Sequence, residues 1–153
     1  MTSTRPQQVD VGSLDVPQLL DVRKQLELEL KQFATMFGQL KLAQSRFQSC
    51  LESVDEIRPE NQDKTTLVPL TASLYVPGRL ADPDKVIVDI GTGYFVEKTR
   101  AEARSLYQDK VNYVVKNMEQ LQETIHRKQD NLRVVGELLQ VKLLRGEKGS
   151  SEN

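Results

Sequence analysis

The sequence has no tryptophan, one cysteine, one histidine and only 5% aromatic residues. A single cysteine excludes an internal disulfide and fits a reducing compartment. The lone histidine, His126, has no cysteine near it in sequence, so no zinc-ligand set can be assembled around it. No apolar run approaches the roughly 18–20 residues that a membrane span needs, and no membrane partner is expected. The net charge of −1 gives no whole-chain attraction for nucleic acid. Lys and Arg are interspersed with Glu, Asp and Gln, as on solvated helix faces. No nucleophile–base pair, phosphate loop or metal cluster is present, so neither enzymatic activity nor a cofactor is expected. The N-terminal stretch lacks the apolar core of a signal peptide, and residues 1–13 read as a short disordered lead. These absences place the chain in the cytosol, with the nucleus also compatible.

What is present is a heptad pattern. Leu19, Leu26, Phe33, Leu40, Phe47 and Val54 recur at seven-residue intervals, and so do Val111, Met118, Ile125, Leu132 and Leu139. Leu30, Phe37 and Leu51 flank the first column, and Val114, Leu121 and Val135 flank the second. A strict period of seven keeps an apolar seam on one side of a slightly supercoiled helix. Arg23, Gln44 and Lys128 interrupt the companion columns; such residues snorkel at a seam edge and help to fix register. With 28% charged residues, this composition suits long helices with wet outer faces better than a multilayered core.

The first helix is expected over residues 14–58. Asp15 and Gln18 can form a capping box around Pro17, and Pro59 ends the pattern. Some 40 residues at ~1.5 Å each make a helix about 60 Å long. The second is expected over residues 99–145, opened by Thr99 and Glu102 as a second box and closed by Gly146 as a left-handed C-cap. The tail 146–153 is polar and reads as disordered. Gly136 inside this helix should cost up to ~1 kcal/mol relative to Ala.

Between the helices, residues 66–97 switch to a period of two and read as two β-hairpins. Pro69 lacks an N–H, so its strand must lie at an edge or carry a bulge. Gly91-Thr92-Gly93 is the turn of the second hairpin. As a nucleotide loop it fails, because the third glycine of the dinucleotide fingerprint is replaced by Val96 and no phosphate-binding Lys follows. Asp82, Asp84 and Asp89 lack the spacing of a calcium loop and read as turn chemistry. Cys50, beside the apolar stripe, reads as a buried or half-buried small apolar residue rather than a reactive thiol.

Two short hairpins are marginal alone. Their apolar residues are Leu67, Val68, Leu70, Leu74, Tyr75 and Val76 in the first, and Val86, Val88, Ile90, Tyr94 and Val96 in the second. Open strand edges and apolar faces need cover, and joining with hairpins of other subunits into a β-barrel supplies it. These residues are therefore the candidate assembly surface. The whole reads as mainly α with small β, a single domain over residues 1–153: an antiparallel two-helix coiled coil with two hairpins between the helices.

The hairpin sequences Val68-Pro-Leu-Thr71, Leu74-Tyr-Val-Pro-Gly78 and Val88-Asp-Ile-Gly-Thr-Gly-Tyr94, followed by Val96-Glu-Lys-Thr99, resemble the α class of prefoldin. The resemblance covers nearly the whole chain, and its specificity lies in the hairpin region. It implies an ATP-independent co-chaperone in which α- and β-class subunits form a heterohexamer on a β-barrel platform. It further implies capture of unfolded proteins such as actin and tubulin at the helix-pair tips, with transfer to the cytosolic chaperonin. The helix pattern alone favours the alternative, a coiled-coil scaffold or a regulatory interaction protein that holds no client, and it is the hairpin sequence that turns the reading to a chaperone.

In an antiparallel pair, the start of the first helix and the end of the second lie together. Leu14, Val16, Leu19 and Leu20 stand on one side, with Leu139, Val141, Leu143 and Leu144 on the other. These are more apolar residues than one two-helix seam buries, so the tip is the candidate client contact.

Overall fold

The computed structural model describes residues 10–150, with side chains through Gly146. Its elements are α1 (Val16–Glu56), β1 (Thr65–Thr71), β2 (Leu74–Arg79), β3 (Lys85–Gly91), β4 (Tyr94–Thr99) and α2 (Arg100–Ser150). Single 3-10 turns stand at Val11–Ser13 and Pro59–Asn61. This is the expected mainly α fold, with two hairpins between two long helices. The described residues fall into two compact units. One joins α1 up to Gln39 with α2 from Met118, and the other runs Leu40–Asn117.

Both capping boxes form. The Gln18 N–H donates to Asp15 Oδ1 at 2.9 Å, and the Asp15 N–H donates to Gln18 Oε1 at 3.1 Å. The Glu102 N–H donates to Thr99 Oγ1 at 3.2 Å, and the Thr99 N–H donates to Glu102 Oε2 at 3.0 Å. Each box satisfies two backbone donors that a helix start leaves free. Thr99 also ends β4, so strand passes into helix without a loop.

The helix bounds differ from expectation for local reasons. α1 stops at Glu56 rather than residue 58, because Arg58 precedes Pro59 and is extended, with φ −116° and ψ 155°. Its open end is closed by Asn61 Nδ2, which donates to the Glu56 carbonyl at 2.6 Å. α2 runs through Gly146 to Ser150 instead of capping there. Among the described residues only Gly91 and Gly93 are glycines with positive φ. A helical glycine costs only ~1 kcal/mol and no proline follows, so nothing forces the helix to end. The expected disordered tail is thus helical as far as Ser150, and residues 151–153 lie outside the described residues. The expected disordered lead is likewise folded from Asp10, whose carboxylate accepts from the Gly12 N–H at 3.0 Å; residues 1–9 lie outside the described residues.

The heptad columns mark the seam. Every residue named in the two columns and their apolar companions is buried or half-buried. In the first unit, Leu19 and Leu26 of α1 meet Val135 and Leu139 of α2 in one core, with Leu132 and Leu138 against it. The second unit centres on Val54, Val88 and Ala103, with Val86, Leu106 and Tyr107 packed around them. Phe47 stacks obliquely on Tyr107 with ring centres 6.4 Å apart, and Lys110 Nζ lies 5.3 Å from the Phe47 ring centre. Asp55 pairs with Arg104 at 2.8 Å, and Arg100 donates to the Ile57 carbonyl at 2.9 Å. In each unit, partner numbers fall along α2 as they rise along α1, so the helices pack antiparallel.

Each hairpin is its own two-stranded antiparallel sheet. β1 pairs with β2 through Val68↔Val76 and Pro69↔Tyr75, and the register slips between Pro69 and Thr71. In a two-stranded sheet β1 is also an edge, which accommodates the missing N–H of Pro69. β3 pairs with β4 through Val88↔Val96 and Asp89↔Phe95, with a second slip between Asp89 and Gly91. Thr92 at φ 36° and Gly93 at φ 84° form the tight turn, matching the twist of the flanking strands. Asp84 N–H donates to Asp82 Oδ1 and Gly91 N–H to Asp89 Oδ1, each at 3.0 Å, so two of the three aspartates are occupied in turns.

Candidate functional site

Two surfaces stand out, one in each unit. The first is the pair of hairpins. All of β1 and β2 is exposed except the half-buried Gly78. Alternation puts Val68 and Val76 on one face, and Leu67, Pro69, Tyr75 and Pro77 on the other, so both faces are apolar. Gly78 packs closely here: a Cβ on it would stand 3.1 Å from Val68 Cγ2, a tight contact that the valine side chain would have to shift to accept. Leu67 is 65% exposed, and Leu70, Leu74 and Tyr75 are also exposed. A β-sheet with two apolar faces in water is incomplete.

The second hairpin differs. Val88, expected on the assembly surface, is 2% exposed and lies in the core with Val54 and Ala103, while Val86 is half-buried against it. The inward face of this hairpin covers its own helices. Its outward face carries Ile87 and Phe95, at 73% and 66% exposed, which the sequence reading did not single out. The alternation Ile87, Asp89 opposite Phe95, Glu97 was the available signal, obscured because apolar residues occur at both parities of β3. Ile90, Tyr94 and Val96 are exposed as expected. Lys85 and Glu97 pair at 3.0 Å on the outward face, and the pair raises the Lys85 pKa.

A groove of about 280 Å³ opens beside Val86 and Val88, lined also by Cys50, Ser53, Val54 and Tyr107. Cys50 is half-buried, as expected. Burial, and then the neighbouring Cys50, push the Tyr107 phenol up. The groove holds no combination of groups that could activate a nucleophile. Among the described residues no cluster of His, Cys, Asp and Glu is placed to hold a metal, and His126 is exposed.

The second surface is the end of the first unit. Leu19 and Leu139, expected as contact residues, are buried at 0% and 4% exposure in the seam. Leu14 and Val16 are half-buried against that core. Leu20, Val141, Leu143 and Leu144 remain exposed, at 46–56%. Helical geometry explains the division, because residues adjacent in sequence point about 100° apart and a seam takes only one of each pair. Val11, Val22, Val134 and Lys142 also belong to this end, and the sequence pattern pointed to Val11 but not to Val22 or Val134. Further along, Lys128 Nζ reaches Glu29 Oε2 at 2.7 Å. Lys128 and then Gln25 hold the Glu29 carboxyl below its ordinary value. In α2's first turn, the Thr99 backbone N–H and then its hydroxyl lower the Glu102 pKa.

The comparisons with known proteins agree with this geometry. Residues 26–143 match the family described as "Prefoldin subunit". The chain is 46% identical to "Probable prefoldin subunit 5" of Schizosaccharomyces pombe, over 88% of both chains. It is 34% identical to "Prefoldin subunit 5" of Homo sapiens, over 90% of this chain and 89% of that one. The fold is similar to that in the cryo-EM structure of filamentous PFD from Methanocaldococcus jannaschii. The TM-score is 0.66 at 17% identity, covering 75% of this chain and 95% of the other. Among the described residues no helix is long and apolar enough to cross a membrane. With its seam, its two hairpins and these relatives, the chain belongs to the prefoldin family, as a chaperone subunit and not an enzyme.

Proposed function

We propose that this chain is an α-class subunit of a heterohexameric prefoldin in the cytosol, with a nuclear pool also compatible. It acts as one prefoldin-type domain and assembles with other α- and β-class subunits through its hairpins. The observation that carries this is the first hairpin, apolar on both faces and exposed along both strands. Leu67, Leu70, Leu74 and Tyr75, with Ile87 and Phe95 of the second hairpin, become the buried layer of a shared barrel.

The exposed apolar end of the first unit then serves unfolded clients, actin and tubulin among them, before transfer to the cytosolic chaperonin. Exposed Leu20, Val141, Leu143 and Leu144 support that reading. Each Leu or Val that a client buries contributes about 1.5–3 kcal/mol, so one tip binds weakly and several together hold by avidity.

The test is co-expression with the partner subunits of one organism, followed by native mass measurement. A discrete six-subunit complex containing this chain, and suppressing aggregation of denatured actin without ATP, is expected. A stable monomer, or a complex that holds no unfolded protein, would leave a scaffold and refute the proposal.

A further inference from the structure

One segment of the first unit belongs to neither helix. Residues 10–14 form a compact strap: Ser13 Oγ donates to the Asp10 carbonyl at 2.7 Å, beside the Asp10–Gly12 bond already described. Val11 precedes α1 by five residues, yet it lines one groove with Val22 and Leu26 of α1 and Val134 and Val135 of α2. The chain therefore doubles back over its own helix, turning at Leu14 and Asp15. The groove measures about 240 Å³. Val11 and Leu14 are both half-buried against the Leu19, Leu26, Val135, Leu139 core. Lys142 of α2 fastens the strap from the other side. Its ammonium donates to the Gly12 carbonyl at 3.0 Å and to the Leu14 carbonyl.

We propose that this strap is an internal occupant of the client surface, displaced when an unfolded segment binds; the inference rests on the tip reading above. The strap displays what the surface accepts. It is a short segment holding a single 3-10 turn, with two apolar side chains three residues apart and the Gly12 and Leu14 carbonyls left for an outside donor. Folded proteins pair their carbonyls internally, whereas an unfolded chain does not. An unfolded apolar segment thus meets both the Val22–Leu26–Val134–Val135 groove and the Lys142 ammonium, and a folded surface meets neither well. With Val11 as one wall of the groove and Val11 and Leu14 packed on the Leu19, Leu26, Val135, Leu139 core, the strap keeps that core covered between clients, which lowers the affinity of this tip by the fraction of time it is closed.

The test uses the assembled complex and a fluorescent, unstructured peptide rich in Leu and Val. In complexes whose subunit carries Val11→Ser and Leu14→Ser, binding should tighten several-fold, about three- to tenfold if the strap is closed most of the time. Unchanged or weaker binding by a complex of normal mass overturns the strap. Hydrogen exchange on the unsubstituted complex supplies the second reading. Saturating peptide should speed exchange of the Ser13 and Leu14 amides, which now donate to the Asp10 and Val11 carbonyls. Peptide that binds, and is lost in Leu143→Ser/Leu144→Ser complexes, without moving those amides contradicts the strap but leaves the tip reading standing. Peptide binding that is indifferent to both pairs of substitutions contradicts the tip reading itself.

Discussion

Lys128 on α2 donates to Glu29 on α1 at 2.7 Å, from a position in the column otherwise filled by Val114, Leu121 and Val135. Both side chains are about 30% exposed, 32% for Lys128 and 28% for Glu29. The charge that interrupts the apolar column is therefore matched across the seam. A pair of this kind contributes little to net stability but penalises every register in which either partner faces an apolar residue.

Glu29 titrates below its usual value of 4.5 in the folded chain, chiefly through Lys128. The stabilisation is present above the unfolded value and is lost as pH falls through the lower folded one. Glu29→Gln should cost about 0.5–1 kcal/mol at neutral pH. It should cost nothing once the pH is below the folded carboxyl. Denaturation of the complex at the two pH values checks this, and an equal cost at both would contradict it.

Val88 and Leu67 should behave oppositely. Val88→Asp puts an unpaired charge against Val54 and Ala103 and should destabilise the hairpin unit by at least about 3 kcal/mol. Leu67→Asp changes a residue that is 65% exposed in the single chain. It should leave helicity intact and abolish co-purification with partner subunits. Circular dichroism with native mass separates the two; normal assembly of Leu67→Asp contradicts the platform role.

Gly136 sits inside α2 with open space where a Cβ would stand, and the same holds for Gly38 in α1. Gly136→Ala should therefore stabilise by roughly 0.5–1 kcal/mol, through helix propensity and a less flexible unfolded chain. Thermal melting reads this directly. A loss of stability or of assembly would show that a neighbouring subunit approaches the backbone there.

No segment of the chain supplies a phosphate cradle with a Lys and a metal-binding hydroxyl. Client holding should be the same with and without ATP and magnesium. Saturable ATP binding traceable to this subunit would contradict that expectation.

The helical architecture was legible because heptad spacing and capping boxes are local. Leu19 to Val54, Asp15 with Gln18, and Thr99 with Glu102 all behave as their spacing requires. The inward turn of Val88 was not legible. Both parities of β3 carry apolar residues, so only the packing of Val54 and Ala103 decides which face is buried. The folded strap escaped for a similar reason: Val11 and Leu14 lie among polar residues, and their partners Val22 and Val135 are distant in sequence. At the tip, sequence identified the excess of apolar residues but not its division. Leu139 turns into the seam and Leu143 does not.

The most direct measurement of the central claim is aggregation suppression by complexes in which this subunit carries Ser at positions 20, 141, 143 and 144. Mass measurement must first show that assembly is normal, since these residues lie outside the hairpin unit. The account predicts an intact complex with a few-fold weaker grip on denatured protein, this tip's share of a multivalent hold. Undiminished capture by an intact complex would contradict it and assign client binding to the platform or to other subunits.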